Sequence, residues 1–295
     1  MRSIARLSGG ATAVAIAGIA AAVAAPTAAM AAPSATVVIP CSVSALDTAI
    51  NQANATTTPT TIVLQRSCNY SVFTGIGGNA FPQIKRNITL SGGPGTVLSR
   101  SQFTPVSFRI LDVAVTGTLT ITNVTITNGR TASLGGGIRN GGVLNTDHVT
   151  ITGNRASNGG GVSNSATGTA TISASLISQN TTTSVGGGGI MNFGFLTVFQ
   201  SNILSNTAPI NGGGVNTQPL AVTNVNQTSV NNNTSGSAGG GLSNLGTTNL
   251  NGSQVRRNQA GAPGGGIANA KIVTIVSTII RDNTPDNCSP ATLCP

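Results

Sequence analysis

Two residue patterns recur along most of this chain at an almost constant interval. In the first, an aliphatic residue is followed three places later by an asparagine, and successive asparagines are 26, 26, 27, 25 and 25 residues apart: Asn154, Asn180, Asn206, Asn233, Asn258 and Asn283. In the second, three glycines precede an aliphatic residue: Ile138, Val162, Ile190, Val215, Leu242 and Ile267. Repetition at so regular a period indicates a solenoid in which each repeat forms one coil.

Each repeat also contains short segments in which every second residue is apolar. Leu119 and Ile121 belong to one such segment, and Val124 and Ile126 to the next. This alternation is typical of strands with one buried face, and the segments are too short for helices. The sequence therefore predicts an all-β fold, a parallel β-helix of about 26 residues per coil over residues 61–283.

Stacked coils place like residues directly above one another, about 4.8 Å apart. The aliphatic residues of the two patterns should therefore form two buried columns, of which one comprises Ile151, Ile177, Ile203, Val230, Val255 and Ile280. The asparagines should lie at corners, because asparagine tolerates a left-handed backbone and can hydrogen-bond along its own column. The glycine triplets should allow positive φ and a close approach of neighbouring coils. They do not indicate a phosphate-binding loop, since no helix is signalled after them.

Residues 1–31 have the pattern of a secretory signal sequence. A basic start is followed by an apolar run over residues 11–25 and a small-residue cleavage site at residues 29–31. A membrane anchor is the alternative, but Pro26 breaks the run, which is shorter than the roughly 20 residues that span a bilayer. We therefore predict cleavage after Ala31, secretion to the extracellular space and no later membrane span.

Both ends of the solenoid should be covered. Within residues 32–60, the segment Ser42–Ala53 has its apolar residues on one helical face, which predicts a short N-terminal capping helix that begins at Ser42 or Ser44. Residues 284–295 should form a tail that closes the other end.

Four cysteines flank the two ends of the repeat region, and an exported chain favours their pairing in disulfides. Three connectivities are formally open, and local pairing is the one we predict: Cys41 with Cys68, and Cys288 with Cys294. Free thiols or metal ligands are the alternative, which is disfavoured because the only histidine, His148, is not near any of them in the sequence.

The chain carries few charges, and most of them are positive. Its formal net charge is +9, or +7 once the two positive charges of Arg2 and Arg6 are removed. A basic exported protein is biased toward anionic partners such as cell-wall polymers, acidic polysaccharide or nucleic acid. We expect cell-wall or acidic polysaccharide as the partner, no specific nucleic-acid binding, no cofactor and a monomeric chain.

The alternation of glycine triplets with the aliphatic-x-x-asparagine pattern resembles the repeats of polymorphic outer-membrane proteins, which read GGA-I and F-x-x-N. More broadly, it resembles the secreted right-handed β-helix proteins of the pectin-lyase-like superfold. The stretch from Cys41 to Tyr70 is similar to the N-terminal cap of bacterial exported β-helix proteins, and the resemblance covers about residues 41–283. It implies a right-handed parallel β-helix, or solenoid, with a short N-terminal capping helix.

The same superfold includes polysaccharide lyases and hydrolases, so a catalytic site has to be considered. Hydrolysis of a glycosidic bond ordinarily needs two carboxylates, and calcium-dependent lyases need a cluster of them. The chain has five aspartates and no glutamate, and only Asp112 and Asp147 fall in the body of the solenoid. Asp147 is followed by His148, but adjacent residues of a strand point to opposite faces. We expect a non-catalytic extracellular module with a structural, adhesive or surface-binding role; a polysaccharide lyase or hydrolase is the alternative.

Four arginines are candidates for anion binding. Arg130 and Arg155 are 25 residues apart, as are Arg256 and Arg281, so each pair should stack on adjacent coils. Stacked like charges about 5 Å apart repel by about 1 kcal/mol even in water, which suggests an anion between them. Charge that serves only solubility is the alternative.

Three phenylalanines are candidates for a ligand platform. Phe193, Phe195 and Phe199 lie in one repeat, where Leu196 and Val198 take the inward places. Outward-facing rings would bind a sugar or a protein. Packing in the core or at a corner is the alternative, and the sequence favours it.

Overall fold

The computed structural model describes residues 34–294. In this range the strands of successive coils pair in parallel and form four stacked sheets, which confirms the predicted β-solenoid. The predicted signal sequence and its cleavage site lie outside the described residues. No helix within the described range is both long enough and apolar enough to cross a membrane.

Sheets 1 and 2 follow one another in each coil. Sheet 1 comprises Ala35–Val38, Thr60–Val63, Asn87–Ser91, Thr118–Thr122, Val143–Asp147, Thr169–Ser173, Phe195–Phe199, Val222–Asn226, Thr247–Asn251 and Ile272–Val276. Sheet 2 comprises Asn69–Val72, Val97–Arg100, Thr125–Thr127, Thr150–Thr152, Leu176–Ser178, Asn202–Leu204, Ser229–Asn231, Gln254–Arg256 and Ile279–Arg281.

Sheets 3 and 4 complete the coil. Sheet 3 consists of two-residue strands: Arg155–Ala156, Thr181–Thr182, Thr207–Ala208, Thr234–Ser235 and Gln259–Ala260. Sheet 4 comprises Leu111–Val113, Ile138–Asn140, Val162–Asn164, Ile190–Asn192, Val215–Thr217, Leu242–Asn244, Ile267–Asn269 and Cys288–Ser289.

The core is a set of aliphatic columns that run through the stacked coils. The column that contains Ile138 and the column that contains Ile151 are buried as predicted, except in the last coil, where Ile280 is only partly buried. Each buried side chain contributes roughly 1.5 to 3 kcal/mol, so the two columns account for a large part of the hydrophobic stabilisation.

Sheet 1 also carries an outward column in which every member is threonine or asparagine. Its members are register partners in successive strands, and in each strand they lie between residues that face inward. We call this set the threonine–asparagine column: Thr36, Thr61, Thr89, Thr120, Asn145, Thr171, Thr197, Asn224, Asn249 and Thr274.

The predicted asparagine column is a buried hydrogen-bonded ladder. The Oδ1 of Asn206 accepts from the backbone N–H and from Nδ2 of Asn180, both at 3.0 Å, and its own Nδ2 donates to the Ile177 carbonyl at 2.9 Å and to Asn233 Oδ1 at 3.0 Å. The same contacts repeat from Asn154 to Asn283. Each coil is thereby bonded to the next by side chain as well as by backbone.

The left-handed backbone at this corner belongs to a different residue from the one we predicted. The ladder asparagines do not adopt positive φ, which occurs instead one place before each of them: Gly153, Gln179, Ser205, Asn232, Arg257 and Asp282. Asn128 has positive φ in the coil before, where Gly129 takes the ladder position. Asparagine is selected at the ladder position because it is buried and has both donor and acceptor groups. The preceding residue faces solvent, so its side chain varies.

The glycine triplets do what the sequence predicts. The first glycine of each triplet has positive φ, as Gly187 does at 67°. The third is confined by the next coil, since a Cβ on Gly189 would lie 2.7 Å from the carbonyl oxygen of Gly214 and 3.1 Å from Asn206 Nδ2. Any side chain at this position would therefore push apart two coils that the ladder holds together.

A second, interrupted ladder follows the strands of sheet 4. Asn140 Nδ2 donates to Asn164 Oδ1 at 2.8 Å, and Asn164 Nδ2 donates to Asn192 Oδ1 at 2.9 Å. In the next coil Thr217 takes the ladder position, and its hydroxyl is 2.8 Å from that of Thr223. Asn216 lies one residue before the ladder position, in register with Met191, and is buried on the outer side of the strand.

The N-terminal end is capped by the helix Val43–Asn54, close to the predicted segment. Ser42 is its N-cap, accepting at Oγ from the Ala45 N–H at 3.4 Å, and the buried side chains of Leu46 and Ile50 cover the first coil. The strand Ala35–Val38 was not predicted: it pairs with Thr60–Val63 and adds an outer strand to sheet 1.

Both predicted disulfides are present. Cys41 and Cys68 tie the capping helix to the first coil with a Cα–Cα distance of 5.6 Å, and Cys288 and Cys294 close the tail at 5.8 Å. The tail contains the 3₁₀ helix Ala291–Leu293; its strand Cys288–Ser289 pairs with sheet 4, and Thr284 forms a bridge with Gln259 of sheet 3.

The ladder predicts a stability difference between two asparagines of one coil. Asn206→Ala removes a buried side chain and leaves its donors and acceptors unpaired, so we expect a loss of about 3 kcal/mol in the free energy of unfolding. Asn202→Ala makes the same chemical change at an exposed side chain without hydrogen bonds and should cost less than about 0.5 kcal/mol. Urea titration followed by circular dichroism measures both, and equal losses would contradict the role of the ladder.

Candidate functional site

The structure stacks both predicted arginine pairs. Arg130 forms a parallel bridge with Arg155 in the next coil, and Arg256 is the register partner of Arg281. The two pairs nevertheless differ in what lies beside them.

Arg256 and Arg281 share a carboxylate of the chain itself. Asp282 Oδ2 is 3.4 Å from Arg256 Nη2 and 3.7 Å from Arg281 Nε. The anion expected between these arginines is therefore supplied by Asp282, which follows Arg281 directly. This pair is a poor candidate for an external anion.

Arg130 and Arg155 are both exposed and lack such a partner. Within residues 34–294, no carboxylate oxygen lies within 4.0 Å of either guanidinium. Their positive charge is therefore balanced only by solvent and mobile ions.

Arg100, in the preceding coil, joins this pair. Its Nε donates to the Asn128 carbonyl at 2.9 Å and its Nη1 donates to the Thr104 carbonyl at 3.0 Å. Partial burial, together with the nearby positive charge of Arg130, lowers the pKa of Arg100. We call Arg100, Arg130 and Arg155 the arginine cluster. The sequence did not reveal Arg100 because it lies over Asn128, two residues before Arg130, and the coil that contains it does not follow the regular spacing.

Two open clefts flank the arginine cluster. One, of about 310 Å³, is lined by Arg130 and Arg155 together with the hydroxyl-bearing Ser107, Thr131 and Thr183. The other, of about 330 Å³, is lined by Arg100, by Phe103 and by polar residues in and beside the strands of sheet 2: Asn69, Ser71, Ser99, Ser101, Gln102 and Asn128. Guanidinium and hydroxyl donors together suit carboxylate, sulfate or phosphate groups.

A second arginine group, Arg109 and Arg139, shares a buried carboxylate of the chain. Asp112 is 3% exposed; its Oδ1 accepts from Arg139 Nε at 2.6 Å, its Oδ2 accepts from Gln83 Nε2 at 2.8 Å, and Arg109 Nη1 lies 3.8 Å away. Burial lowers the pKa of Arg109, whereas Asp112 raises it and Arg139 lowers it further. These contacts fasten the irregular segment around Gln83 to sheet 4, so Asp112 has no oxygen free for catalysis.

Asp147 and His148 meet, contrary to the sequence argument. Asp147 Oδ2 is 3.0 Å from His148 Nδ1, because His148 follows the strand with a φ of 54° and its side chain folds back. Both side chains are more than half exposed, and His148 lines an open cleft of about 220 Å³ with Thr125 and Thr150. The described residues contain no group of three or more histidine, cysteine or acidic side chains that could hold a metal ion.

Two of the three candidate phenylalanines face outward. Phe195 is 45% exposed and Phe199 is 37% exposed, on either side of Thr197 in sheet 1. Packing in the core, which the sequence favoured, is therefore wrong for these two. Phe193 lies half-buried in the turn between sheets 4 and 1.

The buried carboxylate yields a stability prediction. Asp112→Ala leaves Arg109 and Arg139 without their counter-charge, so the free energy of unfolding should fall by about 3 to 5 kcal/mol. Asp147→Ala, at an exposed carboxylate, should change it by less than about 1 kcal/mol. Thermal and urea unfolding of the two variants measure the difference, and a stable Asp112→Ala protein would show that this cluster does not hold the fold together.

Comparison of the chain with protein-family models, with curated proteins and with solved structures gave no significant match.

Proposed function

We propose that this chain is a secreted, non-catalytic β-helix that binds an anionic polymer of the cell surface, such as an acidic polysaccharide, through the arginine cluster. The observation that carries the proposal is that Arg100, Arg130 and Arg155 occupy three consecutive coils with no carboxylate beside them. In each of the other arginine groups, around Asp112 and Asp282, a carboxylate of the chain offsets one of the two positive charges.

The spacing of the arginine cluster favours a polymer over a small anion. Coils repeat about every 4.8 Å along the axis, so the charges form a row rather than a closed pocket. Holding like charges in a row costs free energy that a ligand with regularly spaced anionic groups recovers. The clefts beside the row are open along their length and carry hydroxyl groups that can bond to the sugar rings.

Export and family are part of the same proposal. The basic, apolar and small-residue order of residues 1–31 supports a cleaved signal sequence, and two disulfides are typical of proteins outside the reducing cytosol. The glycine and asparagine repeats support membership of the right-handed, pectin-lyase-like β-helices, with repeats similar to those of polymorphic outer-membrane proteins.

A charge-matched pair of variants tests the site. Arg130→Ala with Arg155→Ala should weaken binding to polygalacturonate at least 10-fold and reduce its dependence on salt, because the two guanidinium groups that contact the polymer are removed. Arg86→Ala with Arg281→Ala removes the same two charges from outside the arginine cluster and should change the affinity less than twofold. Titration calorimetry at two salt concentrations measures both. Equal losses would show that only net charge matters, and no binding by the unaltered protein would refute the proposal.

The contact between Asp147 and His148 supports one competing function, a lyase. A carboxylate that orients histidine is an arrangement found in general bases, and such a base could remove the proton beside a uronate carboxyl group while the glycosidic oxygen leaves. Against it, no arginine and no second carboxylate lines the His148 cleft.

We expect no unsaturated product when the protein is incubated with polygalacturonate or alginate and the absorbance of the released double bond is followed. Product formed by the unaltered protein and abolished by His148→Ala would replace the non-catalytic proposal with the lyase. Product that persists in His148→Ala would point to a contaminating enzyme and leave this residue without a catalytic role.

A further inference from the structure

The outward face of sheet 1 differs from the rest of the molecule in charge. Among the outward residues of its ten strands, only Asp147 is ionisable, and none of these strands contains lysine or arginine. The basic residues of the described chain lie in other sheets and in turns. A face without lysine or arginine offers no cation to an acidic polymer, and this favours an uncharged ligand.

Most polar side chains of this face make no hydrogen bond within the described residues. Within the described residues, the threonine–asparagine column contains one side-chain hydrogen bond, from Asn249 Nδ2 to Asn224 Oδ1 at 2.9 Å. By contrast, the hydroxyls just beyond the strands are bonded within the protein, as those of Ser175 and Ser201 are to the carbonyls of Ser173 and Phe199. Apart from the Asn249–Asn224 pair, the column presents hydroxyl and amide groups without side-chain partners, in a row that follows the solenoid axis.

Two aromatic rings flank this row. Phe195 and Phe199 are four residues apart in one strand, so their Cα atoms are separated by about 13 Å, with Thr197 between them. Thr197 is in register with Thr171 on one side and with Asn224 on the other. Exposed phenylalanine costs solubility, and two such rings on one strand of a chain with only 3% aromatic residues call for a function.

We infer that the outward face of sheet 1 is a second binding surface, and that its ligand is an uncharged polysaccharide lying along the solenoid axis. Phe195 and Phe199 stack on the apolar C–H faces of sugar rings, and Thr171, Thr197 and Asn224 bond to sugar hydroxyls. A protein partner would place its anchoring side chains in a pocket, and this face has a row of small polar groups instead. No residue of the arginine cluster lies in sheet 1, since Arg100 ends a strand of sheet 2 and Arg130 and Arg155 lie beyond that sheet, so the inference does not rest on the proposed function.

A retention assay on neutral polysaccharides tests the inference. Microcrystalline cellulose, chitin, xylan and a soluble β-glucan are the probes, each compared with a non-binding carrier protein. We expect retention on at least one of them, little change with added salt, and a loss of at least 10-fold in Phe195→Ala with Phe199→Ala. Thr197→Val, which keeps the shape of the side chain and removes its hydroxyl, should lower the affinity about threefold.

Phe73→Ala with Phe103→Ala is the matched control, because it removes two phenylalanines that are 56% and 79% exposed elsewhere on the surface. It should retain full binding, as should Arg130→Ala with Arg155→Ala, which tests the other site. Absence of retention on every probe, or an equal loss in the Phe73 and Phe103 variant, would overturn the inference. Self-association seen by sedimentation and abolished in the Phe195 and Phe199 variant would assign this face to a second copy of the chain instead.

Discussion

Side-chain hydrogen bonding between coils is the constraint on which the structure depends. An interior ladder asparagine such as Asn206 accepts at Oδ1 from the backbone N–H and the side-chain amide of the asparagine in the preceding coil. Its Nδ2 donates to a backbone carbonyl of that same coil and to the asparagine Oδ1 of the following coil, so a coil cannot slide or rotate without leaving several buried groups unpaired. Buried networks of this kind favour one register strongly because a partly satisfied network is costly. The close approach at the glycine triplets and the stacking of arginines both follow from that fixed register.

The few charges are arranged in two ways. Around Asp112 and Asp282, one carboxylate lies between two arginines and offsets one of their two charges. At Arg100, Arg130 and Arg155, arginines of consecutive coils lie together without a carboxylate. Since repulsion between neighbouring arginines is unfavourable and Asp282 shows that a single aspartate relieves it, this uncompensated group is the exception on which the proposed binding surface rests.

The sequence predicted the repeating contacts, the capping helix and both disulfides, and it missed several contacts that the repeat does not encode. The spacing of Asn154, Asn180 and Asn206 encodes contacts between neighbouring coils, so it was enough to predict the core columns and the stacking of Arg130 on Arg155. The position of Arg100 and the contacts of Asp112 depend on irregular segments before residue 111. The lengths of these segments do not follow the repeat, so they do not show which residues lie over one another. The Asp147–His148 contact depends on one left-handed residue, which periodicity cannot reveal. The strand Ala35–Val38 lies before the capping helix, outside the repeat, and was missed for the same reason.

The two ends of the stack are finished differently. The helix Val43–Asn54 lies over the first coil, whereas within residues 34–294 no strand pairs with the outer edges of Ile272–Val276 and Ile279–Arg281, and Ile272 is 61% exposed. In a stack where each layer touches only its neighbours, the last coil has half the contacts of the others and is the first to fray. Its free backbone groups could recruit another strand and start fibre growth, and the cationic side chains of Lys271 and Arg281 beside those edges oppose such pairing by mutual repulsion.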